Sequence, residues 1–228
     1  MHTPRIATMP DRPAGILTTA HAALKPGLKT ALRASSISRR LLLAVLFLAA
    51  NFASATTTAA TAVFAGGCFW CVEALYEEID GVSDVISGFT GGHHPNPTYK
   101  GRHDGHWEAV KVTYDPGVVS YQRLLDLYWV NIDPFDDRGQ FCDKGRSYRA
   151  AIFVDDTQRP LAEASLAAVR AEFSNGRVVT GIHPVARFFP VEEYHQDYSR
   201  KNPLRYRYYR HGCRRDERLQ TVWGDRAH

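Results

Sequence analysis

The chain has no apolar run of bilayer length, no internal repeat and, past residue 55, no basic stripe interleaved with aromatic side chains. Its longest apolar block, Leu41 to Ala50, falls well short of the roughly 20 residues that cross a hydrocarbon core. These absences exclude a polytopic membrane protein, a solenoid and a nucleic-acid binder. Cysteine is scarce as well: four stand in 228 residues, at 68, 71, 142 and 213. One close pair with two distant cysteines lacks the ligand spacing of a zinc site, so no metal and no cofactor are expected. His93, His94, His103 and His106 crowd one segment, without cysteines or acids at ligand spacing, and are read as exposed loop residues.

The first fifty-five residues read as a leader. Lys25, Lys29, Arg33, Arg39 and Arg40 precede the Leu-rich block, and Ala53-Ser54-Ala55 supplies the small-residue pattern cut by signal peptidases. The plan is then a leader over 1–55, a linker over 56–60 and a catalytic domain over 61–228. An exported, periplasmic protein is expected, with no membrane contact after cleavage; the alternative is an anchor formed by the uncleaved leader. Removing the leader takes away seven basic residues and one acid, which leaves 21 against 23 and turns a net charge of +4 into −2. The remaining 173 residues suit one compact domain, and no exposed apolar stripe argues for more than a monomer.

Four cysteines in an oxidising compartment ordinarily make two structural disulfides. Against that stands the placement of Cys68-Phe69-Trp70-Cys71. The cluster follows the apolar stretch Ala62 to Ala65 and the turn-forming pair Gly66-Gly67, at the start of a helical pattern carried by Val72, Leu75, Tyr76 and Ile79. Unpaired N–H groups and the macrodipole at a helix start favour a thiolate, so Cys68 is expected to be a reactive nucleophile and the Cys-x-x-Cys pair a redox arrangement. Phe69 and Trp70 are too large and apolar for turn filler and suit the wall of a pocket for an uncharged group.

Along the rest of the chain the patterns predict a strand at 61–65, a helix at 69–79, a strand at 82–90 and a polar, aromatic loop through His106. A half-buried strand runs from Glu108 to Tyr114, a helix capped by Ser120 follows, and Asp133 to Tyr148 forms a second loop. Then come a strand at 150–154, a helix at 159–173 and one or two strands within 178–191, with a turn near His183-Pro184. Beyond Glu192 no periodic core pattern appears, and a long irregular tail is expected. The class is α+β, a single two-layer domain with a mixed sheet and packed helices.

Gly67-Cys68-Phe69-Trp70 resembles the signature of the A-type peptide methionine sulfoxide reductases. Further blocks agree in order: Gly91-Gly92 with Asn96 to Tyr99, Gly105-His106 with Glu108, Tyr114-Asp115-Pro116, Asp143-Lys144-Gly145 with Tyr148-Arg149, and Tyr194-His195-Gln196 with Tyr198. The tail Asn202-Pro203, Tyr209-Arg210, Cys213, Arg215-Asp216 and Trp223-Gly224 is similar to members with a C-terminal resolving cysteine. The resemblance implies a ferredoxin-like-related fold and the reduction of free and peptidyl methionine-S-sulfoxide as protein repair under oxidative stress. Cys68 becomes the nucleophile, Glu108, Tyr99, Tyr148 and Asp143 its polar partners, Phe69 and Trp70 the methyl pocket, and His195 a wall residue. Glu108 must be protonated to give a proton to the sulfoxide oxygen. Cys213 is the first candidate to resolve the sulfenic acid, Cys71 the second and a relay in which one disulfide passes to another the third; Cys142, beside Asp143 in the expected site, also competes. A thioredoxin-like reductant would reopen the disulfide. The competing class is a thioredoxin-like disulfide oxidoreductase, which also uses Cys-x-x-Cys at a helix start.

Overall fold

The computed structural model describes residues 58–227; the leader expected over 1–55 lies outside the described residues. Strand β1 (Ala60–Ala65) is central. It pairs antiparallel with β3 (Trp107–Tyr114) on one side and with β6 (Ala151–Val154) on the other. β2 (Val82–Thr90) pairs with β3, β7 (Gly181–Pro184) lies parallel to β6, and β8 (Phe189–Pro190) adds to β2, giving the order β7-β6-β1-β3-β2-β8. A short hairpin, β4 (Gly139–Gln140) with β5 (Asp143–Lys144), stands apart within the loop predicted from Asp133 to Tyr148.

The period of two decides the faces. Ala62 and Phe64 of β1, Val110 and Val112 of β3 and Ile152 of β6 point into the main core, whereas Val63, Ala65, Ala109, Ala151 and Phe153 form a smaller cluster with Trp107. Three helices cover the main face: α1 (Phe69–Tyr76), α2 (Tyr121–Trp129) and α3 (Arg159–Glu172). Ser120 caps α2 as predicted, accepting from the Arg123 N–H at 3.1 Å. Phe64 stacks on Tyr76 and Tyr128, and their hydroxyls donate to Leu124 O at 3.0 Å and Ala65 O at 2.8 Å. Leu124 and Leu125 are fully buried, each stabilising by about 2 kcal/mol. The core is aromatic and branched-aliphatic. Its sequence contains no methionine, since both, Met1 and Met9, precede the described residues.

Four expectations need correction. α1 stops at Tyr76 and turns through Glu77 to Asp80, so its last predicted turn is absent. The turn expected near His183-Pro184 comes later, because those residues complete β7 beside Phe153 and Val154. The segment beyond Glu192 is not irregular. It forms α4 (Tyr198–Lys201), α5 (Pro203–Gly212) and α6 (Arg215–Trp223), stabilised by burial of Leu219 and Trp223 and by the Trp223 indole donating to Ile132 O at 2.8 Å. Finally, His106 is buried: its ring lies 3.0 Å from His94 O and accepts from Gly92 N–H at 3.3 Å, so it ties the loop together. Among the described residues no helix is long and apolar enough to cross a membrane.

Candidate active site

The site forms where β1 ends and α1 begins. Gly67 turns the chain at φ +88°, a left-handed conformation open to glycine, and a Cβ there would lie 2.7 Å from Gln140 Cβ. Gln140 in turn holds Asp133 N–H and O, at 2.8 Å each, so the loop meets a fixed wall. The turn delivers Cys68 as the N-cap of α1, 6% exposed.

Glu108 comes from the next strand. It continues the inward row of Val110 and Val112, is 1% exposed, and accepts from the Phe69 N–H at 3.3 Å through Oε2, while Oε1 has no partner. Burial pushes its pKa up to about 8; the Phe69 N–H and the Tyr148 hydroxyl oppose that, and the Asp143 charge adds to it. The carboxyl is therefore mostly neutral at pH 7, as the sequence reading required. Burial also raises Tyr99, to about 12, and Tyr148, with the Glu108 charge as the next cause for both, so each keeps its proton.

Phe69 is fully buried and Trp70 half-buried. The Trp70 indole N–H donates to His195 Nδ1 at 3.1 Å, and its ring stacks on Tyr198 with centroids 3.7 Å apart. Tyr99 lies 4.1 Å from the His195 ring and 6.1 Å from Phe69. This makes an aromatic notch beside the thiol, with His195, 3% exposed, as the wall residue expected. Asp143 accepts from the Tyr209 hydroxyl, and burial raises its pKa against that bond.

The cysteines divide into two pairs. Cys142 and Cys213 form a disulfide across 71 residues, and Cys68 and Cys71 are free, buried and hydrogen-bonded to each other. The expected ionisation of Cys68 is reversed: burial raises its thiol well above the ordinary value, and Cys71 adds to the rise. Cys71 is shifted the other way, lowered to about 6 first by the hydrogen bond from Cys68, against burial, and then by Arg215, Arg210 and Tyr206. The helix-start argument was local and left out desolvation.

Tyr209, Arg215, Gln140 and Glu73 were given no role from sequence. Tyr209 and Arg215 stand in the quoted tail blocks, but without helical periodicity nothing tied them to residue 68.

A sequence profile of the family described as peptide methionine sulfoxide reductase matches residues 60–227. The chain belongs to this family. Similar relatives include peptide methionine sulfoxide reductase MsrA 2 of Caulobacter vibrioides, 52% identical over 167 residues that make up 72% of this chain and 85% of that protein. Peptide methionine sulfoxide reductase MsrA of Bacillus licheniformis is 49% identical, covering 72% and 93%. Among solved structures, methionine sulfoxide reductase A of Corynebacterium diphtheriae is similar at TM-score 0.57 and 33% identity over 66% of this chain and 78% of that one. Reduced Mxr1 from Saccharomyces cerevisiae is similar at TM-score 0.59 and 28% identity, covering 65% and 88%. Family membership accounts for the α+β fold.

Proposed function

We propose that this reductase converts methionine sulfoxide in proteins and peptides to methionine, with Cys68 as nucleophile and Glu108 as the acid. The observation that carries the roles is the buried Glu108 carboxyl bonded to the Phe69 N–H, one residue from the thiol, where burial favours its protonated form. Two protons suffice for the reaction. The thiol pair shares one and Glu108 holds the other.

The Cys68 proton passes along the hydrogen bond to Cys71 as Cys68 attacks the sulfoxide sulfur. Glu108 protonates the oxygen, while the Tyr99 and Tyr148 hydroxyls hold it as charge develops. The oxygen moves to Cys68 as a sulfenic acid and methionine leaves, its sulfur reduced. Cys71 then attacks Cys68: a S–S bond forms, the S–O bond breaks, and the oxygen departs as water with both protons. Cys71 is favoured for this first closure because it is free and already hydrogen-bonded to Cys68, whereas Cys213 must first leave Cys142. A thioredoxin-like dithiol then reduces the disulfide by exchange. Preference for the S epimer, export with cleavage after Ala55 and a monomeric state complete the reading.

Cys68→Ser tests it: single-turnover reduction of a methionine sulfoxide peptide should vanish, and retained turnover would refute the assignment. A disulfide oxidoreductase is the other reading of the motif. Isomerase activity without methionine formation would favour it.

A further inference from the structure

Glu73 is a fully buried acid on α1, the helix that begins at the nucleophile, and the chemistry above makes no use of it. Its Oε2 accepts from the Tyr198 N–H at 3.3 Å, while Oε1 is buried with no partner. A buried carboxyl with no cation beside it is costly, so what it holds is informative. It holds a turn. Asp197, just before Tyr198, stands at φ +53°, a left-handed conformation that a residue other than glycine adopts only where its surroundings impose it. Tyr198 then lays its ring on Trp70, with centroids 3.7 Å apart and planes 6° from parallel. Trp70 and Glu73 are three residues apart on α1, so they share a helix face. One helix thus grips residue 198 twice, by its ring and by its backbone. Gln196 fixes the approach to the turn, pairing with the Ser87 N–H at 2.9 Å and the Ser87 O at 3.0 Å.

We propose that Glu73 is a positioning residue of the sulfoxide notch: its carboxyl anchors the left-handed turn at Asp197 and, through that turn, sets the Tyr198 ring against Trp70, the wall that receives the methyl group. The effect on substrate rests on the function proposed above; the anchoring does not. Trp70 is held from two sides, by the Tyr198 ring and by the bond from its indole N–H to His195 Nδ1 at 3.1 Å, and both partners lie on the one segment that Glu73 and Gln196 tie down. The groups that face Glu73 are Glu77 on its own helix, Ser87 of β2 and the backbone at Asp197 and Tyr198. Glu77 is paired with Arg200 at 3.4 Å, which leaves the Tyr198 N–H as the contact with a printed geometry of its own on the Glu73 carboxyl. Either protonation state of Glu73 leaves an oxygen to accept that N–H.

The test reads the Trp70 ring directly, with 5-fluorotryptophan incorporated throughout the chain and the Trp70 fluorine resonance assigned by its loss in Trp70→Phe. Glu73→Leu keeps the volume and removes the acceptor, so the Trp70 resonance should move in the same sense as in Tyr198→Ala, with those of Trp107, Trp129 and Trp223 unmoved. Its KM for a methionine sulfoxide peptide should rise about tenfold, while the single-turnover rate at saturation stays within about threefold of the parent. Glu73→Gln, which keeps an acceptor for the Tyr198 N–H, should restore both resonance and KM. An unmoved Trp70 resonance in Glu73→Leu overturns the proposal even if activity falls, and a moved resonance with an unchanged KM overturns the link to the notch. Should Glu73→Leu not fold, Glu73→Asp decides by the same two readings, because it keeps the carboxyl but withdraws it by one methylene. A parent chain that forms no methionine would sink the function proposed above, and the fluorine measurement would still decide the anchoring.

Discussion

The Phe69 N–H and the Glu108 carboxyl meet at 3.3 Å, so the first helical amide after Cys68 is joined to a buried acid. Thiol and acid are thereby tied through adjacent backbone, and both are buried.

Glu108→Gln preserves the shape and the acceptor for Phe69 but removes the proton. Methionine formation in a single turnover should fall by about 10²- to 10⁴-fold with the sulfoxide affinity nearly unchanged. In the unsubstituted chain the same rate should decline as pH rises through about 8, because the active form is the protonated one. Rapid-quench kinetics across pH checks both.

Stability carries the same sign. Glu108 and Glu73 are both raised by burial in the folded state, to about 8 and about 7, above the unfolded glutamate value. Their contribution is fully present below the unfolded pKa, near 4.3, and is lost as pH rises through the folded values. Glu108→Gln should thus be more stable than the parent at pH 9, by on the order of a few kcal/mol, with little difference at pH 4. Denaturant titrations at the two pH values measure this.

Trp70 contributes to both the notch and the packing of α4. Trp70→Ala should raise KM at least tenfold through the lost methyl wall and cost about 2 kcal/mol through the lost stack on Tyr198. Trp70→Phe keeps an aromatic face and loses the His195 bond, so its KM should recover more than its stability.

Tyr209 links Asp143 to α5, and its ring meets Trp70 edge-on at 5.8 Å. Tyr209→Phe should reduce kcat by about tenfold and cost about 1 kcal/mol, leaving the fold intact by circular dichroism.

The Cys142–Cys213 bridge closes 71 residues of chain, so Cys142→Ser should lose roughly 2–4 kcal/mol in a denaturant titration under oxidising conditions. Mass mapping of Cys213→Ser after one turnover should still find Cys68 joined to Cys71; its absence would move the first resolving role to Cys213.

Residues whose role follows from local pattern were legible. Cys68 and Trp70 follow the glycine turn; Glu108 shares the alternation that buries Val110 and Val112, but its role as the acid was implied by the family resemblance alone, since the strand pattern by itself would have left it a solvated charge. The charge state of Cys68 was not legible, because it depends on how much protein covers the sulfur and on the Cys71 and Glu108 groups packed beside it. The tail was opaque for a related reason. Its helices bury Leu219 and Trp223 against surfaces from distant segments, so their stability comes from tertiary contact and leaves no regular apolar stripe. Tyr209 and Arg215 had visible identities but no visible neighbours.

A folded core without methionine frees this catalyst from its own damage. Peroxide or hypochlorite that oxidises methionine side chains elsewhere finds none to convert between residues 58 and 227, so stress severe enough to create substrate leaves this interior its apolar character. Nor can one copy consume another's turnovers through sulfoxides in the folded domain: every oxidised thioether that reaches the notch arrives from outside it.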